Sequence, residues 1–123
     1  MMHLAFDVLA AAALIGAGLA LHYLRGPAAK PPRPLLMFVH GALGAAGLGL
    51  LLAVLRHGLP RTDNGTSGFG IIAAACIGVA LASGLVIALV TWRGRRPGGF
   101  VVATHASIAV AGLVVLLTLV ALG

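Results

Sequence analysis

The sequence predicts an all-α fold, an integral membrane four-helix up-down bundle built from two similar helical hairpins, and three observations carry that expectation. The 123 residues are 61% hydrophobic and 8% charged, with a mean hydropathy of +1.14, which excludes a water-soluble globular domain. Apolar runs extend from Leu4 to Leu24, Leu35 to Leu55, Phe69 to Trp92 and Phe100 to Leu122, each matching the roughly 20 helical residues needed to cross a hydrocarbon core about 30 Å thick. The second pair of runs echoes the first. The connections are too short for another domain, so residues 1–123 read as one transmembrane domain with helices at about 4–24, 35–56, 69–92 and 100–122.

Each run is a helix rather than a strand, because a chain in lipid must satisfy its own backbone hydrogen bonds and four strands cannot close a barrel. The first is read as a membrane helix and not as a cleaved signal peptide, since Met1-Met2-His3 supplies no basic n-region and the apolar stretch exceeds an h-region. Gly26-Pro27 ends it, and Pro31-Pro32-Arg33-Pro34 forces an extended connection in which Pro34 can open the second helix. Gly58, Pro60, Asp63-Asn64-Gly65 and Gly68 form a turn-rich loop before the third helix, and Arg95 to Gly99 do the same before the fourth. Small residues recur every four positions as Gly41, Ala45, Gly49 and Ala53 in the second helix and Gly70, Ala74, Gly78 and Ala82 in the third. Such stripes suit close helix packing, within the bundle or in a homodimer. Cys76, alone and in mid-helix, packs as a small apolar residue.

The formal charge of +6 would suggest nucleic acid in a soluble protein, but here the basic residues sit at the ends of apolar spans and act as topology signals, with no nucleic acid implied. Arg25, Lys30 and Arg33 lie in the first connection, Arg56 and Arg61 beside Asp63 in the second, and Arg93, Arg95 and Arg96 in the third. Positive-inside counting puts the first and third connections in the cytoplasm and both termini outside it, in a bacterial inner membrane. Tyr23 and Trp92 fit the interfacial aromatic belt, together with His22. His22 is also within reach of a propionate or quinone at that surface. Asp7 is the one acidic residue inside a span.

The chemistry is concentrated in two histidines. The segments LMFVHGALGAAGL (Leu36 to Leu48) and VVATHASIAVAGL (Val101 to Leu113) each carry a histidine followed seven residues later by Gly-Leu. A histidine inside a membrane is costly enough to need a reason. His40 is six residues beyond Pro34 and His105 eight beyond Pro97, so at 1.5 Å per residue both lie roughly 9 to 12 Å inside their helix starts. In an up-down bundle the second and fourth helices are parallel and diagonal. Their imidazoles can face each other across the axis, as the two axial ligands of one haem b require.

The surroundings agree with that metal site. Gly44, Gly47, Ala109 and Gly112 follow the histidines on the same faces and leave room for a bulky ring, and Gly16 and Gly84 offer clearance on the first and third helices. Arg33 and Arg93 are among the basic residues near the surface to which propionates would point. The second imidazole nitrogen needs an orienting partner, for which the carbonyls of Leu36 and Val101 or the hydroxyls of Thr104 and Ser107 are candidates. Other readings stand beside this one: histidines hydrogen-bonded across a cofactor-free interface, another metal, or a proton pathway.

With its histidine pair and following small residues, the chain resembles the membrane b-type cytochromes, especially the cytochrome b561-like group. The resemblance implies haem b in a four-helix bundle, electron transfer without self-contained enzyme activity, and a redox partner protein or membrane quinone. That group typically binds two haems through four histidines, and this chain departs from it. His3 and His57 lie near the opposite surface but on neighbouring helices, which suits solvated interfacial histidines better than a second haem. Two rival functions remain: a cofactor-free subunit of a larger membrane complex, and a small four-helix transporter or channel. Small multidrug exporters use a glutamate in the first helix, and this sequence contains no glutamate.

Overall fold

The structure, a computed structural model, describes residues 1–26, 33–57 and 66–122. Expectations resting on Lys30, on Pro31-Pro32 and on residues 58–65 lie outside the described residues. Four helices make up the fold: α1 (Met2–Arg25), α2 (Pro34–His57), α3 (Thr66–Trp92) and α4 (Gly99–Leu122), with no strand among the described residues. All four are long and apolar enough to cross a membrane, and the chain is an integral membrane protein. The helices extend one to three residues beyond some of the apolar runs, as at Met2, His57 and Thr66. Polarity marks where an apolar run stops, whereas the backbone hydrogen-bond ladder continues through the interface.

The helix ends follow from single residues. Gly26 precedes Pro27 and is extended, with φ −77° and ψ 139°, because the following proline ring disfavours the helical region. Gly94, aligned with Gly26 in the repeat, behaves differently. It takes φ +72°, its N–H donates to the Thr91 carbonyl, and the Arg95 N–H donates to the Val90 carbonyl. This is a Schellman end that glycine permits without Cβ strain. Pro34 opens α2, where its missing N–H costs nothing.

Helix α1 packs on α2 and α4, and α3 packs on the same two, while the diagonal backbones do not approach within 8 Å among the described residues. Ala5, Leu9, Leu51, Ala73, Ile77, Leu116 and Leu119 form the core. Glycines let the helices close around it: a Cβ at Gly47 would meet Leu9, at Gly70 Leu55, and at Gly112 Cys76 and Ile77. The small-residue stripes serve the packing in part: Gly70 and Ala74 of the α3 stripe lie at the core, whereas a Cβ at Gly41, Gly49 or Gly78 meets nothing within 4 Å. Those positions point away from the core.

Burial is confined to one half. Going along α1 and α3, the last buried residues are Ala12 and Ala80; going along α2 and α4, the first are Gly47 and Gly112. No described residue in the other half, which holds the ends of α1 and α3 and the starts of α2 and α4, is buried. In that half the described residues are half-buried or exposed.

Candidate functional site

Both histidines lie in the half without fully buried residues. His40 and His105 are each the seventh residue of their helices, counted from Pro34 and Gly99, and their ring centroids stand 6.1 Å apart with planes inclined by 77°. Their side chains approach across the diagonal between α2 and α4, whose backbones stay apart among the described residues.

Each ring is held by the neighbouring helix in the same way. His40 Nδ1 lies 2.8 Å from the Ala12 carbonyl of α1, and His105 Nδ1 lies 2.8 Å from the Ala80 carbonyl of α3. These partners replace the expected carbonyls of Leu36 and Val101 and the hydroxyls of Thr104 and Ser107. The reason is local. A carbonyl one turn back on the same helix faces along that helix's axis, whereas an imidazole turned inward meets the side of the next helix. That side is open because the residue four positions after each accepting carbonyl is a glycine, Gly16 or Gly84. A helical Cβ tilts toward the N-terminus, so a side chain there would cover the oxygen. A Cβ at Gly16 would fall 2.7 Å from His40 Cε1, and one at Gly84 2.9 Å from His105 Cε1.

The clearance at Gly16 and Gly84 therefore serves the imidazoles themselves. Gly47 and Gly112 sit farther along in the half with the buried core, where they accommodate Leu9 and Ile77. At Gly44, one turn beyond His40, a Cβ would make ordinary contact with Leu81 at 3.6 Å, and Ala109 is half-buried in the matching place. Arg33 and Arg93 are exposed at the near end, as is His22. His3 and His57 are exposed at the far end.

The sequence reading did not pick out Ala12, Ala80 or Ser83. A signal for the first two existed: Ala12-x-x-x-Gly16 and Ala80-x-x-x-Gly84 repeat with the 68-residue offset that aligns Gly16 with Gly84. The accepting carbonyl is 28 residues before His40 but 25 before His105. Two of the three extra residues lie between α1 and α2, where residues 26–33 compare with 93–98 between α3 and α4, and the third lies in α1, which runs one residue further past its accepting carbonyl.

With both Nδ1 atoms on carbonyl oxygens, the proton sits on Nδ1 and the lone pair on Nε2. Among the described residues no hydrogen bond reaches either Nε2, and neither is a buried atom without a partner. Two metal–nitrogen bonds of about 2 Å each, with a ring centre about 1 Å behind each nitrogen, span about 6 Å, which is the centroid separation found here. The described residues offer no group of three or more His, Cys, Asp and Glu side chains for a metal. The donors that the described residues offer at this place are the two imidazoles.

Above the pair, Tyr23 ties α1 to the connection before α4. Its hydroxyl donates to the Pro97 carbonyl at 2.7 Å, Arg96 donates to the Tyr23 carbonyl at 3.0 Å, and the Arg96 guanidinium lies 4.6 Å from the Tyr23 ring centre. Tyr23→Phe removes the hydroxyl bond and is expected to lower stability by about 1 kcal/mol. Thermal unfolding in detergent, followed by circular dichroism, measures it; an unchanged midpoint would show that the tie carries no weight.

No family model, curated protein or solved structure matches the chain.

Proposed function

We propose that the chain is a membrane-embedded b-type haem protein that carries electrons, an up-down-up-down bundle of two similar hairpins with one haem b between α2 and α4. The observation that carries the reading is the facing of His40 and His105 at 6.1 Å, each with Nδ1 on a backbone carbonyl and Nε2 left to bind iron. This second hydrogen bond is what metal-ligating histidines use to fix tautomer and ring direction. Haem b, when bound, supplies one-electron oxidation and reduction.

The protein's part is to hold, orient and insulate. Ala12 and Ala80 aim the imidazoles, Gly16 and Gly84 leave room for their Cε1 edges against α1 and α3, and apolar helices keep water away. Gly44 and Ala109 flank the ligands without bulk, and Arg33 and Arg93 stand at the surface nearest the propionates. His40 and His105 would hold the haem from its two sides, which suits electron transfer better than oxygen activation. The near end faces the cytoplasm of a bacterial inner membrane, with both termini on the other side. Exchange of electrons then needs a partner protein or a membrane quinone, either in a homodimer or in a larger complex. The resemblance to the b561-like cytochromes points the same way, with one haem where that group has two.

A second reading keeps some support, because 6.1 Å is also within the range of an edge-to-face aromatic pair. A cofactor-free accessory subunit would use the histidines as interhelical polar contacts. The absorption spectrum of detergent-purified protein separates the two. A Soret band with sharp reduced α and β bands, lost on His40→Ala together with His105→Ala, is the expected result. A colourless preparation from haem-replete cells would sink the haem reading.

A further inference from the structure

The two halves of the site differ at one position. Ser83 of α3 corresponds through the 68-residue offset to Ile15 of α1. Its hydroxyl donates to the Ala80 carbonyl at 2.9 Å, and its oxygen lies 3.2 Å from His105 Nδ1, which is itself 2.8 Å from that carbonyl. With its single proton committed to the carbonyl, the hydroxyl presents lone pairs to the imidazole. The Nδ1–H of His105 is thus shared between two acceptors. That of His40 has Ala12 alone among the described residues, and an isoleucine at position 15 can add nothing polar.

We propose that Ser83 is a positioning residue that makes the two ligands unequal, with His105 the fixed ligand and His40 the exchangeable one. The inference rests on the haem reading. An acceptor on the far nitrogen raises ligand basicity and fixes ring direction, and losing such a partner typically weakens metal binding 10- to 100-fold. A ring held at two points reorients less readily than a ring held at one. With haem bound, His40 would therefore be the ligand that yields to an incoming one, while His105 would hold.

The test uses the detergent-purified holoprotein and two readouts. In the first, His40→Ala and His105→Ala proteins are loaded with haem and challenged with excess apomyoglobin. The protein that keeps His105 is expected to lose haem about tenfold more slowly than the one that keeps His40. Ser83→Ala added to His40→Ala removes most of that advantage, and Ser83→Thr, which restores a hydroxyl, returns it. In the second, which needs no histidine variant, carbon monoxide is mixed with the ferrous protein. Ile15→Ser gives His40 its own hydroxyl and is expected to slow carbon monoxide binding several-fold. Equal haem loss from the two histidine variants, or binding unchanged by Ile15→Ser in a coloured protein with a two-histidine spectrum, overturns the inference and leaves the haem reading standing. A colourless parent protein overturns both.

Discussion

Gly84→Ala is expected to cut haem retention at least tenfold, and Gly16→Ala to do the same, while both proteins remain fully helical. The argument is steric. A Cβ at residue 84 would stand 2.9 Å from His105 Cε1 and 3.4 Å from Nδ1, and a Cβ at residue 16 would stand 2.7 Å from His40 Cε1. The imidazole cannot simply turn aside, because rotation takes Nδ1 off the Ala80 or Ala12 carbonyl and changes the direction of Nε2. Both the orienting bond and the aim of the ligand are lost, and each loss of this type is worth about one to two orders of magnitude in metal affinity. The helices themselves gain, since alanine is favoured over glycine by about 1 kcal/mol in a helix interior. Gly18→Ala, Gly41→Ala and Gly78→Ala make the matched controls, because a Cβ at those places meets nothing within 4 Å. They are expected to keep full haem content and gain slightly in stability. The ratio of Soret to protein absorbance reads the outcome, and full haem in Gly16→Ala and Gly84→Ala would show that the imidazoles do not need this clearance.

The positions of the helices and of the histidines were legible for a simple reason: membrane spans write themselves as apolar runs, and a polar residue inside one stands out. His40 and His105 could be set at one depth by counting from Pro34 and Pro97 alone. What holds the rings was not legible, because both acceptors are backbone carbonyls, and an alanine's carbonyl has no signature of its own. The trace it leaves is indirect, in the glycine four residues later that keeps the carbonyl open. Gly16 and Gly84 stood out as clearance on the first and third helices, yet sequence alone could not say whether they make room for a cofactor or for a side chain. Positions Gly41 and Gly78 of the stripes show the opposite failure. Their spacing is right for helix packing, but a stripe only reports that one face is small, and which face turns inward depends on all four helices together. Ser83 was hidden because a serine in a membrane helix ordinarily bonds back to its own helix; Ser83 does so, and its second contact to His105 exists only once α3 and α4 are paired.

Leu51→Ala and Leu116→Ala test the division of the bundle into a half with a buried core and a half without one. Both leucines are fully buried, at 0% exposure, in the core shared with Leu9, Ala73 and Leu119. In water a buried Leu→Ala change costs about 2.7 to 5.0 kcal/mol, part of it lost transfer free energy and part the residual cavity. In lipid the transfer part largely vanishes, because the surrounding hydrocarbon is as apolar as leucine and helices associate through packing instead. The cavity part survives. At about 24 cal/mol per Å³ and a residual void of about 80 Å³, each change is expected to destabilise the bundle by about 2 kcal/mol. The two effects should add less than fully, because Leu51 and Leu116 belong to one core. Haem binding should respond differently from stability: the histidines lie in the other half, so the Soret maximum and the reduced α band are expected to stay in place while the unfolding midpoint in detergent falls. Gly84→Ala gives the reverse pattern, with an intact helical bundle and a lost spectrum. A Leu116→Ala protein that keeps its midpoint, or that loses its haem at temperatures where it remains folded, would mean that the two halves are not separable and that the core helps to set the spacing of the histidine pair.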